Sequence, residues 1–265
     1  EISACLVGSE MCIRDRQKGD NTHMANIIKL GSLYLDGQPV EIGADYAPGQ
    51  SIEVGKTIPG KEISWVVVNE MLIADRCILT NVSWNDLNAC NLIFGKCIII
   101  EGYHYQIRLL QIGTDKAKPN EWDAALDIVG EDNRLWNWKW TYFWGQETPA
   151  CGPIANEYTR AYRGYSFART WSWAGSGLRR SDVGFRPVLV PLNTKQFTPA
   201  LLGQRVMIWG GQNIVNGYLE QVTDYDVLLS NWHGSVLESQ SCGWIITGGK
   251  LLVDRNSIVG AQNQK

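Results

Sequence analysis

Few side chains in this sequence are placed to make or break bonds. Beyond the first sixteen residues the cysteines are Cys77, Cys90, Cys97, Cys151 and Cys242, with no CxxC and no Cys/His cluster, so neither a metal knuckle nor a dithiol is spelled out. His104 in GYHYQI and His233 in NWHGS stand alone and far apart. A zinc site needs three or four ligands, so no metal and no cofactor is expected. Acid–base work needs converging carboxylates or a histidine, yet residues 158–192 hold only Asp182, with Glu157 just before it. The chain concentrates arginine, tryptophan and glycine instead, in RGYSFARTWSWAGSGLRRSDVGFRPVL, residues 163–189. The forked guanidinium groups of Arg163, Arg169 and Arg186 can each pin several carbonyls or carboxylates, holding an irregular stretch still without regular structure. Such chemistry is recognition, and the enzyme reading is set aside.

The elements that position this stretch are read from composition and pattern. The chain has 265 residues and a formal net charge of −3, which leaves no electrostatic footprint for nucleic acid. No run of eighteen apolar residues occurs, so no membrane-spanning helix is expected. The first sixteen residues, EISACLVGSEMCIRDR, match a translated sequencing-adapter remnant. Residues 1–23 are therefore set aside as a disordered leader, with Met24 as the natural start.

From there, MANIIKLGSLYLDGQPVEIG reads as a hairpin about DGQP. WVVV and RCILT read as strands joined at Asn69 and Glu70. KCIIIEGYHYQIRLLQIG reads as a hairpin turning at Glu101 and Gly102. Short helices are expected after Ser83 or Asn85 and after Asn120, residues suited to capping. Trp122, Trp136, Trp138, Trp140 and Trp144 crowd the next segment, and because each buries on the order of 150 to 250 Å², most are expected in a core.

RGYSFARTWSW followed by GFRPVLVPL resembles the C-terminal part of C-type-lectin-like domains of the formylglycine-generating-enzyme subtype, a group that includes the variable proteins of diversity-generating retroelements. With ISWVVVN and RCILTNVSWNDLN, these blocks are also similar to a family of uncharacterised gut bacterial and phage proteins, over about residues 27–192. The resemblance implies an α+β fold, a C-type-lectin-like mixed domain over residues 24–193. It implies a structural frame of Arg163, Gly164, Ala168, Arg169, Trp171, Gly184, Phe185, Arg186 and Pro187. Between these, Phe167, Thr170, Ser172, Trp173, Ala174, Gly175, Ser176, Leu178, Arg180, Asp182 and Val183 would face a protein or glycan ligand through residues 165–183. Where the family pattern has serine before Ala-Arg, this chain has Phe167. The implied function is non-enzymatic adhesion or receptor binding by a phage virion or cell-surface component. A formylglycine-generating-enzyme-like oxidase is the alternative on that scaffold. If each frame arginine satisfies buried groups, Arg169→Ala or Arg186→Ala is expected to cost on the order of 2 to 4 kcal/mol.

Residues 194–199 read as a linker, and residues 200–265 as a small all-β barrel of about five strands with turns at Gly210–Gly211, Asp224 and Gly248–Gly249. Their spacing is similar to the Sm-like barrel of the bacterial RNA chaperone. RNA binding is disfavoured, because Arg205, Lys250, Arg255 and Lys265 stand against Glu220, Asp224, Asp226, Glu238 and Asp254 where phosphate binding wants a basic face. Docking or homo-oligomerisation is the expected use of this unit.

Overall fold

The computed structural model describes residues 25–150, 156–192, 197–237 and 243–264. The leader, Met24, Cys151, Cys242 and residues 194–196 of the expected linker lie outside them.

Strands take 47% of the chain and helices 11%. The first sheet runs β2 (Gln38–Pro39), β1 (Asn26–Leu35), β5 (Glu62–Val68), β6 (Met71–Ala74), β14 (Pro187–Pro191), β9 (Tyr103–Leu109) and β8 (Lys96–Ile100), with β4 (Ile52–Gly55) also on β1. Its pairings are all antiparallel. The second runs β12 (Trp171–Gly175), β11 (Thr159–Gly164), β10 (Tyr142–Trp144), β13 (Val183–Phe185), β7 (Leu79–Thr80) and β3 (Ala44–Asp45). The third runs β18 (Trp244–Thr247), β19 (Lys250–Asp254), β17 (Asp226–Ser235), β16 (Asn213–Val222), β15 (Arg205–Gly210) and β20 (Gly260–Asn263).

The hairpin signals act through backbone geometry. Asp36–Gly37, Asn69–Glu70 and Glu101–Gly102 each supply two successive positive φ angles, the requirement of a tight turn whose twist matches its strands. Past Asn69–Glu70 the returning strand is Met71–Ala74, and the RCILT run contributes only the short β7.

The α+β expectation is overturned: the chain is mostly β, with three short α-helices among the described residues, α1 (Trp84–Ala89), α2 (Glu121–Val129) and α3 (Asn133–Trp136). The caps were legible. Ser83 and Asp86 form a reciprocal capping box on α1, and the Asn120 side chain accepts from Asp123 N on α2. The helices stop early because Gly130 ends α2 at φ 80 and Asn137 ends α3 at φ 46, after which the tryptophan-rich run extends into β10. Trp122, Trp136 and Trp144 are fully buried, but Trp140 is 62% exposed, against its expected core role.

The closed barrel is also corrected to a half-barrel. The third sheet ends at β18 and β20, with no ladder joining these two among the described residues. The first sheet packs against one face of it, through β15. Residues 206–210 of β15 are all buried. Val206 and Ile208 join the core of the third sheet, whereas Met207 and Trp209 join the core of the first. Burial on both faces explains why VMIW, residues 206–209, is a continuous apolar run and not an alternating one.

Candidate functional site

Arg163 of β11 is fully buried. Its Nε donates to Ile112 O at 2.9 Å, and NH1 donates to Asp123 Oδ1 at 3.1 Å and to Arg169 O at 3.0 Å. Its NH2 lies 3.0 Å from Asp123 Oδ2. One guanidinium therefore ties β11 to α2 and to the turn at residues 165–170. Arg169 reaches the same helix and the residue beyond its cap from outside, with NH2 on Asp127 Oδ1 at 2.6 Å and Nε on Glu131 Oε1 at 2.5 Å. Trp122 Nε1 donates to Ala168 O, and Trp171 Nε1 to Gly113 O, both at 2.9 Å.

Two glycines in this frame are steric necessities. A Cβ on Gly164, at φ 107, would stand 2.5 Å from Thr141 O, and one on Gly184 would stand 2.4 Å from Leu79 O. Phe185 is fully buried in the core. Arg186, also fully buried, donates through NH2 to Trp136 O at 2.6 Å. Its guanidinium carbon lies 5.0 Å from the Trp122 ring centre and 4.8 Å from that of Phe143, a cation–π cradle.

The stretch between these anchors is less irregular than its composition suggests, since Trp171–Gly175 forms β12, an edge strand. Phe167 and Trp173 are 73% and 41% exposed, and Arg180 is exposed. Thr170, Ser172, Leu178 and Asp182 are half-buried. Ala174, Ser176 and Val183 are buried, so these three do not offer side chains to a surface ligand.

The strand period then divides the rest. Tyr162 faces Ser172, and Arg163 faces Trp171, across the β11–β12 ladder, while Trp144 faces Tyr162 across β10–β11. Alternation puts Ser172 on the face that carries Tyr142, Trp144 and Tyr162, and puts Trp171 and Trp173 on the opposite face with Arg163. The expected ligand residues thus do not form one continuous patch.

On the first of these faces lies an aromatic ladder that the sequence did not single out. Ring centres step from Trp144 to Tyr162 at 5.7 Å, to Tyr142 at 4.2 Å, to Tyr165 at 4.9 Å and to Trp140 at 5.4 Å. The Tyr142–Tyr165 step is a parallel stack, and the Tyr165–Trp140 step is edge to face. Arg180 and Asp182 pair with each other beside it. Burial, followed by Tyr162, Tyr165 and Asp182, raises the Tyr142 phenol above its ordinary value. The Tyr142 hydroxyl is therefore a hydrogen-bonding group that keeps its proton near pH 7.

Two ladder members sit in an uncommon conformation. Trp140 has φ 66 and Tyr165 has φ 76, in the left-handed region that bulky residues rarely enter. They are linked, since Trp140 N donates to Tyr165 O at 3.0 Å, while Tyr165 N donates to Trp138 O at 3.0 Å. A residue held there costs on the order of 1 to 3 kcal/mol and persists only where the surroundings over-determine it. No simple sequence signal announces the pair, because left-handed positions normally advertise themselves as glycine or asparagine.

Comparison with known proteins returned no matching family model, curated protein or solved structure. Among the described residues, no group of three or more His, Cys, Asp or Glu is placed to hold a metal ion, and no helix is long and apolar enough to cross a membrane.

Proposed function

We propose that this chain is a non-enzymatic binding protein whose ligand, a glycan or a protein, lies on the face formed by Trp140, Tyr165, Ser172, Arg180 and Asp182. The observation that carries the reading is the Trp140–Tyr165 pair, two aromatic rings held in left-handed backbone with Trp140 largely exposed. Trp140 holds this backbone although most of its own ring is left in water, and strained residues cluster at ligand sites. The arginine frame adds rigidity, so little conformational entropy remains to be lost on binding. The likeness of RGYSFARTWSW and GFRPVL to the variable proteins of diversity-generating retroelements supports the same direction and suggests a phage virion or cell-surface setting.

The test is a glycan and protein array probed with the wild type and with Trp140→Gly and Tyr165→Gly. Glycine accepts positive φ without strain, so both variants are expected to fold and to lose the ligand. Undiminished binding by both would refute the reading.

A further inference from the structure

Next to Trp140 the surface opens into a polar cavity of about 330 Å³, lined by Arg76, Thr80, Asn133, Asn137, Lys139 and Thr141, with Cys77 also in its wall. Its charge is one-sided. The Nε and NH2 of Arg76 are engaged by Asp75, at 3.0 and 2.9 Å, leaving NH1. Lys139 makes no ion pair among the described residues, and its ammonium lies 5.5 Å from the Trp140 ring centre. Asp45 accepts from the Thr80 hydroxyl at 2.7 Å and offsets part of this charge.

A third cation stands behind the wall. The Cys77 thiol lies against the buried guanidinium of Arg186, whose Nε and NH1 make no hydrogen bond. Cys77 Sγ is 3.6 Å from Tyr142 O and is placed to donate to it. Burial pushes this thiol up to about 11, so Cys77 stays neutral near pH 7 and supplies no counter-charge. The carbonyl and the two rings around Arg186 stabilise its charge, and the Asp75 carboxylate offsets part of it.

We infer that this cavity receives the carboxylate of an acidic pyranose sugar, with Lys139 and Arg76 NH1 as the charged partners. The amides of Asn133 and Asn137 and the hydroxyls of Thr80 and Thr141 suit a hydroxyl-rich ring. Trp140, one residue from Lys139, offers the flat apolar face against which such rings stack. An acidic peptide would satisfy the charge but leaves the amide and hydroxyl lining unmatched. This inference rests on the reading of Trp140 as a ligand contact.

The experiment is calorimetric titration of the full chain, Lys139→Gln and Trp140→Gly with glucuronyl and sialyl oligosaccharides, their carboxyl-reduced forms, and a glutamate-rich peptide. The acidic sugars are expected to bind at least ten-fold more tightly than the reduced forms, a preference that Lys139→Gln abolishes. Equal binding of acidic and reduced sugars, a preference that survives Lys139→Gln, binding of the peptide alone, or no binding of any acidic sugar overturns the inference. Reduced sugars that bind equally well and are lost in Trp140→Gly would leave the broader binding reading standing. Acidic sugars that depend on Lys139 but not on Trp140 would place the site in the cavity and remove the aromatic face from it.

Discussion

Arg163 and Asp123 meet end to end, with NH1 3.1 Å from Oδ1 and NH2 3.0 Å from Oδ2, and this is the joint between the second sheet and α2. The arginine is fully buried while the aspartate keeps some access to water. Burial pulls the guanidinium below its ordinary value, and Asp123 opposes that pull.

Arg163→Ala is expected to lower the unfolding free energy by about 3 kcal/mol, because the change removes the main charge partner of Asp123 and strands the Ile112 and Arg169 carbonyls. Lysine cannot reproduce the fork, so Arg163→Lys should recover less than half of the loss. Urea unfolding of both variants measures this.

Arg169→Ala should cost only about 1 kcal/mol, the range of exposed ion pairs. The structure revises the larger expectation drawn from sequence, since the side chain is 38% exposed and its partners Asp127 and Glu131 are 68% and 47% exposed. Raising salt to 1 M should shrink the difference, because screening acts on exposed charges. A salt-independent cost would show that the arginine acts through packing.

Stability should fall between about pH 9 and pH 11 through Cys77. Burial pushes its thiol from an ordinary value near 9 up to about 11, so the folded state keeps a proton that the unfolded chain releases. The contribution is fully present below pH 9 and is lost as pH rises through 11, by on the order of 2 kcal/mol. Cys77→Val should flatten that part of the profile, while the part due to Tyr103, pushed up to about 12 by burial, remains.

Gln262 receives His104 N at 2.8 Å and returns a bond to His104 O at 2.9 Å, bridging β20 and β9. Gln262→Ala should cost about 1 to 2 kcal/mol, and the chain should melt in one transition before and after the change. Separate transitions for residues 25–192 and 197–264 in calorimetry would contradict the shared core.

What could be read without coordinates was whatever a residue type decides locally. Asp-Gly, Asn-Glu and Glu-Gly turns, the Ser83 and Asn120 caps, and the clustering of arginines all depend on near neighbours. The α+β expectation failed because it came from the likeness of residues 27–192 to C-type-lectin-like domains, whereas the helices are the short ones that the caps announce, Gly130 and Asn137 holding α2 and α3 to a few turns. Trp140 was misplaced because apolar area argues for burial, whereas a left-handed backbone at that position turns the ring outward. The ladder escaped notice because Tyr142, Tyr162 and Tyr165 become neighbours only when β10 and β11 pair.

The burial of both faces of β15 makes that strand a party wall. Removing residues 197–264 would strip Met207 and Trp209 from the larger unit and bare Tyr105, whose hydroxyl now rests 3.3 Å from Met207 Sδ. A shortened chain ending before this strand would be sticky and short-lived, and grafting the recognition face onto another carrier would require moving the wall with it.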